Sequence, residues 1–452
     1  MERIRLFHPG MVVILLLCWL TGAPSCRAAE RALSFTDAVK LAFENNHEIR
    51  AMDNAALASR EGIGIARSSL LPRLTFEERY LRTVNPGYAF MTKLNQQRID
   101  QPDFLPVNLN NPDPISDFQT LFFLEQPLFT RKGLLGLEMS KTDARAKDEE
   151  ALRKKEEIVF QLVQGAISLD TAKAFLGAME KSVADAKEQL RITELRQRTG
   201  LGQYADTLRA ATALSAAEQR KISAEKNLRV AKRGLGLLLG LEEDIEILNP
   251  LPDLPLRDLA ACTQRALSRR DIKSGELREE NARKNIKLAE AGYFPYVGVG
   301  GAYQLNDHNR PLGTEGNNWQ VTAFLRWDLF DGTKREYERT RAKYEAASAQ
   351  EQLSGLKKAI SYRVYEVYLS IDEAQRNVDL ARRAALAAEE GKRLVQLRYE
   401  NGLYPLVDLL NAQAGLDQAR AGLVAREGER RLATARLSYE SGAIMQDLNL
   451  EK

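Results

Sequence analysis

Two long stretches without proline constrain the fold of this chain more than any other feature of its sequence. No proline occurs between Pro127 and Pro250, or between Pro311 and Pro405. Both stretches are rich in Ala, Leu, Glu, Lys, Arg and Gln, which favour helix, whereas proline in a helix interior costs about 3 kcal/mol. The two stretches therefore predict helices that are much longer than those of an average domain.

Apolar residues recur at steps of three and four along both stretches, as Val364, Val367 and Ile371 illustrate. This spacing is typical of a helix with an apolar stripe. We predict unbroken helices over about 131–197 and about 333–399, which correspond to about 100 Å each at 1.5 Å per residue. For the proline-free stretches alone, an ordinary soluble coiled coil explains the apolar pattern equally well.

The chain is predicted to be an internal duplication, because several blocks of sequence recur in the same order with Pro and Gly in register. The matched blocks are 67–72 with 290–295, Tyr80 with Tyr303, 126–129 with 327–330, and Arg196, Gly200, Leu201, Asp206 and Leu208 with Arg398, Gly402, Leu403, Asp408 and Leu410. The predicted segments are a signal peptide at 1–29, a first repeat at 30–250, a Pro-rich linker at 251–255, a second repeat at 256–442 and a C-terminal tail at 443–452.

Each repeat is predicted to contain the same series of elements. A helix of about 30 residues ends near Pro72 or Pro295, which mark transitions from helix to strand. Two strands, the long helix, a Gly-containing turn and a returning helix through about 240 or 442 follow. The segments between the paired strands, 83–117 and 306–318, are rich in Asn with Pro, Asp or Gly and are predicted to be exposed loops.

The predicted strands alternate between apolar and polar or small residues. Val321 and Leu325, for example, alternate with Gln320 and Thr322. One apolar and one polar side are what a membrane β-barrel with a wet lumen needs. Four strands cannot close such a barrel, whose smallest versions have about eight, so several chains must contribute strands. Two, three, four or more copies satisfy this requirement equally well.

The first residues have the features of an export signal. Two arginines precede an apolar stretch at 11–20, which is too short to span a bilayer, and small residues follow. Cleavage is predicted after residue 28 or 29. The alternatives are an uncleaved anchor and lipid attachment at Cys26. Each of these places the mature chain outside the cytoplasm.

Composition argues against several classes of function. The net charge is only +3, which does not favour a nucleic-acid binder. The chain has three His and three Cys, and His8 and Cys18 lie within the export signal. A zinc site, a disulfide framework or a Cys/His catalytic pair is therefore not expected. We predict no enzyme activity, no cofactor and no metal site.

The segment from Leu33 to Asn46, the two Pro-led strand pairs, the Gly-Leu turns and the Leu-Gly endings resemble TolC-type outer-membrane efflux proteins. The resemblance covers essentially the whole mature chain. It implies a mainly α fold with a transmembrane β part, in which long α-helical hairpins form a periplasmic α-barrel. It also implies a homotrimer with a 12-stranded β-barrel in the outer membrane of a Gram-negative bacterium.

The resemblance implies a passive exit duct of a tripartite efflux or type I secretion system. Its partners would be outer-membrane lipid, a periplasmic adaptor (membrane fusion) protein and an inner-membrane pump of RND, ABC or MFS type. The alternative is a structural or adhesive periplasmic coiled coil without a channel, which explains the helices but not the alternating strands beside each proline.

The resemblance also assigns roles to particular residues. The adaptor-contacting helical tips would be Thr199, Gly200, Leu201, Asn401, Gly402 and Leu403. The periplasmic entrance would be gated by Tyr399, Tyr404, Asp408, Asn411 and Asp206. Tyr404 and Asn411 stand where the best-known family member has an Arg and a second Asp, so the ionic part of its latch is incomplete here.

Overall fold

The computed structural model describes residues 30–249, 251–252 and 254–450. The predicted signal peptide, including Cys26, lies outside the described residues. The α-helices are α1 Phe35–Asn45, α2 His47–Ser68, α3 Pro86–Asn95, α4 Pro106–Asn110, α5 Arg131–Arg198, α6 Tyr204–Leu238, α7 Leu259–Ala266, α8 Arg270–Glu290, α9 Lys334–Glu400, α10 Leu406–Glu440 and α11 Ile444–Asp447. The strands are β1 Glu30–Leu33, β2 Arg73–Thr83, β3 Ile115–Phe129, β4 Asp244–Ile247, β5 Tyr296–Asp307 and β6 Gly316–Arg326.

The two long helices lie where the proline-free stretches predicted them. Helix α5 has 68 residues and α9 has 67, which correspond to about 100 Å of helix each. Helices α6 and α10 have 35 residues each. Within the described residues, no helix carries an apolar stretch of the length needed to cross a membrane.

The chain divides into two compact units. The first contains described residues within 30–42, 165–251 and 385–425. It includes a two-stranded parallel sheet of β1 and β4. Small residues let its helices approach closely, and a Cβ atom on Gly165 would lie 2.7 Å from the side chain of Leu235. Its core combines buried alanines with larger apolar residues such as Leu169, Leu235 and Leu409.

The second unit contains described residues within 43–164, 252–384 and 426–450. Its main element is a four-stranded antiparallel sheet in the order β2-β3-β5-β6. Strand β3 of the first repeat pairs with β5 of the second, so one sheet joins the two strand pairs. An apolar core that includes Ile272, Val364, Val367 and Leu437 packs α8, α9 and α10 together.

The single helix of about 30 residues predicted before each strand pair is wrong, because the structure has two helices in each place. Asn46 separates α1 from α2, with extended backbone angles, and its side chain accepts hydrogen bonds from the N–H groups of Glu48 at 2.9 Å and Ile49 at 3.1 Å. An Asn side chain that satisfies these free donors starts a new helix. In the second repeat, Arg269 has extended angles and separates α7 from α8.

The long segment between β2 and β3 is more ordered than the predicted loop. It contains α3, a 3₁₀ helix at Gln101–Phe104 and α4. The Asn85 side chain accepts a hydrogen bond from the N–H of Tyr88, and Pro86 occupies the first helical position. Asn followed by Pro is a favoured helix start, which composition alone did not reveal.

Candidate functional site

The sheet has one apolar face that is exposed in the single chain. The strand register places Phe76 beside Phe122, Phe122 beside Tyr303, and Tyr303 beside Trp319, so an aromatic row crosses all four strands. Trp319 is 73% exposed. Exposed apolar side chains on this face also include Leu74, Tyr80, Leu124, Val321 and Leu325. Glu78, which accepts a hydrogen bond from Thr120, interrupts this face between Phe76 and Tyr80. An exposed apolar patch marks a surface that contacts lipid or another chain.

The opposite face carries most of the polar and small residues of the sheet, although Leu121, Phe123 and Phe324 also lie on it. Arg79 donates a 2.7 Å hydrogen bond to Gln119, and Gln304 donates one of 3.0 Å to Asn306. Glycine also lies on this face, and a Cβ atom on Gly298 would come within 2.8 Å of the Phe324 ring on the neighbouring strand. The predicted alternation along the strands therefore gives the sheet two faces that differ in polarity.

The predicted helix-to-strand transitions lie directly before β2 and β5, at Pro72 and Pro295. In the second repeat, a buried arginine fastens the transition to the start of α9. Arg335 donates hydrogen bonds to the carbonyl groups of Gly292, Asp328 and Leu329 and lies over the Tyr293 ring. This arginine fixes the direction in which the chain leaves the sheet.

The predicted tip residues form two equivalent turns. Gly200 and Gly402 have φ angles of +76° and +74°, which residues with a Cβ atom rarely adopt. The N–H of Leu201 donates to the carbonyl of Arg196, and the N–H of Leu403 donates to that of Arg398, both at 2.8 Å. This is the Schellman ending of a helix. Both leucines are more than 70% exposed.

Beside these turns, Arg196 of the first repeat contacts Tyr399 of the second. Its guanidinium lies 4.9 Å from the centre of the tyrosine ring and donates a 2.8 Å hydrogen bond to the Tyr399 carbonyl. Tyr399 is buried against Leu406 and Leu409. Burial raises the pKa of its phenol; the charge of Arg196 lowers this pKa and the nearby Asp206 carboxylate raises it.

The other predicted entrance residues lie on the surface around this contact. Tyr404 accepts a 2.7 Å hydrogen bond from Arg398. Asp206 pairs with Arg209 at 3.2 Å. Asp408 is half-buried, and its carboxylate makes no hydrogen bond or ion pair to any described residue; Asn411 is exposed. Arg196 was not predicted, although its alignment with Arg398 in the duplication was a usable signal.

A buried polar cluster, which we call the Asp417 cluster, was also missed. It comprises Asp417, Ser182, Gln413, Gln189 and Asp185. The Asp417 carboxylate is 4% exposed and accepts hydrogen bonds from Ser182 at 2.5 Å and Gln413 at 2.9 Å. Gln413 also bonds Gln189 and Asp185. The cluster joins α5 to α10, and polar residues at helical spacing beside the apolar stripe were the signal for it.

Comparison with known proteins decides the family. The family model described as "Outer membrane efflux protein" matches residues 38–241 and 263–443. The chain belongs to the outer membrane efflux protein family. This assignment confirms the family resemblance found in the sequence and the outer-membrane location, and it confirms that the protein is not an enzyme.

Individual members of the outer membrane efflux protein family align over most of the chain. It is 22% identical to the alkaline protease secretion protein AprF of Pseudomonas aeruginosa, over 96% of this chain and 90% of AprF. It is 24% identical to the outer membrane protein OprJ of the same species, over 83% of this chain and 77% of OprJ. Its fold matches that of the outer membrane protein VceC of Vibrio cholerae with a TM-score of 0.72 at 16% identity, over 92% and 97% of the two chains. The predicted fold class, mainly α with a small antiparallel β part, is thereby confirmed. As a member of this family, the protein is an outer-membrane exit duct of efflux or secretion systems.

Proposed function

We propose that the protein works as a homotrimer in which three copies of the β2-β3-β5-β6 sheet close a 12-stranded barrel in the outer membrane. The observation that carries this proposal is the aromatic row across the four strands, with a polar face behind it. Strands β2 and β6 are the two edges of the sheet, and unpaired edges in lipid cost several kcal/mol per backbone group. Closure through further copies removes both edges.

Neighbouring residues on opposite faces of β6 provide a sharp test. Val321 lies beside Gly301 on the apolar face, and Thr322 lies beside Gly300 on the polar face. Both positions therefore have a glycine partner that leaves room for arginine. Val321→Arg is expected to cost about 2–4 kcal/mol if the side chain faces the middle of the bilayer, and to deplete heat-modifiable trimers from outer-membrane fractions.

Thr322→Arg is the matched control. It is expected to preserve the trimers and to lower cation preference in planar bilayers, because the charge would face the aqueous lumen. Equal assembly of the two variants would contradict the assignment of the faces. A water-soluble protein without channel activity would instead support the periplasmic coiled coil.

We propose that the two tip turns contact a periplasmic adaptor, and that an inner-membrane pump of RND, ABC or MFS type supplies the energy. The exposure of Leu201 and Leu403 supports this role, since both present apolar side chains at glycine-fixed turns. Leu201→Asp should abolish cross-linking to the adaptor, because a charge would replace an apolar contact, while Leu201→Met should retain it. Undiminished cross-linking of the Asp variant would remove the tip from the interface.

We further propose that Tyr399, Tyr404, Asp408, Asn411 and Asp206 surround the periplasmic entrance, with Arg196 holding Tyr399. The missing family arginine at position 404 is offset by Arg196, which reaches Tyr399 from the first repeat. The segment boundaries predicted from the sequence, including signal-peptide removal at 28 or 29 and the linker at 251–255, remain part of the proposal.

A further inference from the structure

The hairpin between β5 and β6 brings three metal-binding side chains together. Asp307 is the last residue of β5, His308 follows it, and Glu315 immediately precedes β6. Asn306 pairs with Gly316 at the end of the ladder, so the register sets the first two residues opposite the third. One ligand atom from each of the three side chains lies within 4.8 Å of the others.

This spacing is close to that of a first coordination shell. Ligand atoms bound to one tetrahedral Zn²⁺ at about 2.1 Å lie about 3.4 Å apart. The most widely separated ligand atoms therefore need to approach by up to about 1.4 Å when the ion binds. His308 Nδ1 and Glu315 Oε1 are already 2.5 Å apart, and a cation between them would push these two atoms slightly outward.

The arrangement is fixed by the hairpin before any ion binds. The Asp307 side chain is buried, and its Oδ1 accepts hydrogen bonds from the N–H groups of Asn309 at 2.8 Å and Arg310 at 3.1 Å. Its Oδ2 faces Gly313, where a Cβ atom would lie 1.9 Å away. The backbone N–H of His308 donates to Glu315 Oε2 at 3.0 Å. Outer contacts of this kind orient ligands in metal sites.

An Asx turn and a His–Glu ion pair explain part of this arrangement. They do not explain why a second carboxylate, that of Asp307, lies close to this pair, since two nearby carboxylates repel each other. His308 Nδ1 is also buried without a well-formed hydrogen bond. A divalent cation resolves both features, because it neutralises the carboxylates and takes the nitrogen as a ligand.

We propose that Asp307, His308 and Glu315 bind a divalent transition-metal ion of the Zn²⁺ class at the tip of the β5–β6 hairpin. One imidazole and two carboxylates suit Zn²⁺ with a water in the remaining position, whereas Ca²⁺ and Mg²⁺ prefer sets made of oxygen alone. The placement of this hairpin at the cell exterior rests on the proposed function. Bound metal would hold the end of β5 and the start of β6 together there. Counting histidines did not predict the site, because carboxylates supply two of its three ligands.

The test is metal binding by the purified full-length protein in detergent after EDTA treatment. Equilibrium dialysis with Zn²⁺ is expected to give roughly one ion per chain, and Co²⁺ is expected to give a visible absorption band that Zn²⁺ displaces. His308→Ala and Glu315→Gln should each weaken binding by more than about tenfold. His47→Ala, which removes the other histidine of the described residues, is the matched control and should bind normally.

The outcomes are distinct. Absence of Zn²⁺ binding, equal binding by His308→Ala, or preference for Ca²⁺ would overturn the inference. If His308→Ala does not form trimers, the near-isosteric Glu315→Gln carries the test. Channel conductance is measured on the same samples: a conducting protein that binds no Zn²⁺ refutes this site alone, whereas a Zn²⁺-binding protein that conducts no ions refutes the proposed trimeric barrel alone.

Discussion

The Asp417 cluster should control how readily α5 and α10 separate. Asp417→Ala removes the acceptor for Ser182 and Gln413, which are 2% and 6% exposed. Leaving a buried donor unsatisfied costs about 1–3 kcal/mol. Ser182 loses its acceptor while the Gln413 amide keeps Asp185, so the substitution weakens the closed arrangement by about 2 kcal/mol. Arg220 adds little, because it is half-exposed at 3.5 Å from the carboxylate. A change of about 2 kcal/mol is roughly a 30-fold shift in an equilibrium.

If the entrance opens by separation of these helices, Asp417→Ala should raise the open probability in planar bilayers by up to that factor. Asp372→Ala is the control for charge, because Asp372 is an exposed residue paired with Arg376 one turn away on α9. Ser182→Ala combined with Asp417→Ala should be less than additive, since the two residues share one hydrogen bond. Identical conductance of Asp417→Ala, Asp372→Ala and wild type would refute a role of the cluster in opening.

Two further predictions concern acidic groups. Burial alone would raise the pKa of Glu246, but hydrogen bonds from Lys173 and Lys232 outweigh burial and lower this pKa. The ionised Glu246 carboxylate therefore stabilises the fold above the ordinary pKa of about 4.3, and this stabilisation is lost as pH falls through the lowered value. Glu246→Gln should thus reduce the melting temperature at pH 7 but not at strongly acidic pH, and a pH-independent difference between the two proteins would contradict this. Asp408→Ala should lower cation preference and alter single-channel conductance, since a ring of carboxylates attracts cations. Asn411→Ala, three residues further along the same helix, removes no charge and should leave cation preference unchanged, and an unaltered Asp408→Ala channel would exclude Asp408 from the gate.

Local sequence was sufficient for the long elements. The absence of proline predicted a helix over 131–197, and α5 spans Arg131–Arg198. Glycines at 200 and 402 predicted turns, because glycine lacks a Cβ atom and adopts a positive φ without steric cost. These features depend on residues close together in the chain, so pattern alone could reveal them.

Interruptions and contacts between the repeats were harder to predict. Asn46 divides the first helix through hydrogen bonds of a single side chain, which a composition average conceals. Arg196 was seen as a repeat residue, but its contact with Tyr399 joins positions 203 residues apart. The presence of Tyr404 where the best-known family member has an arginine therefore did not reveal that Arg196 contacts Tyr399 from the first repeat.

The sequence by itself determined the lengths of the two longest helices, the turns, the alternation of the strands and the family, because each is encoded by spacing or order along the chain. Tertiary structure decided that β3 pairs with β5, that the Asp417 cluster joins α5 to α10, and that Asp307, His308 and Glu315 converge. Such contacts depend on register and on the packing of distant segments, and a period along one segment carries no information about the partner that it meets.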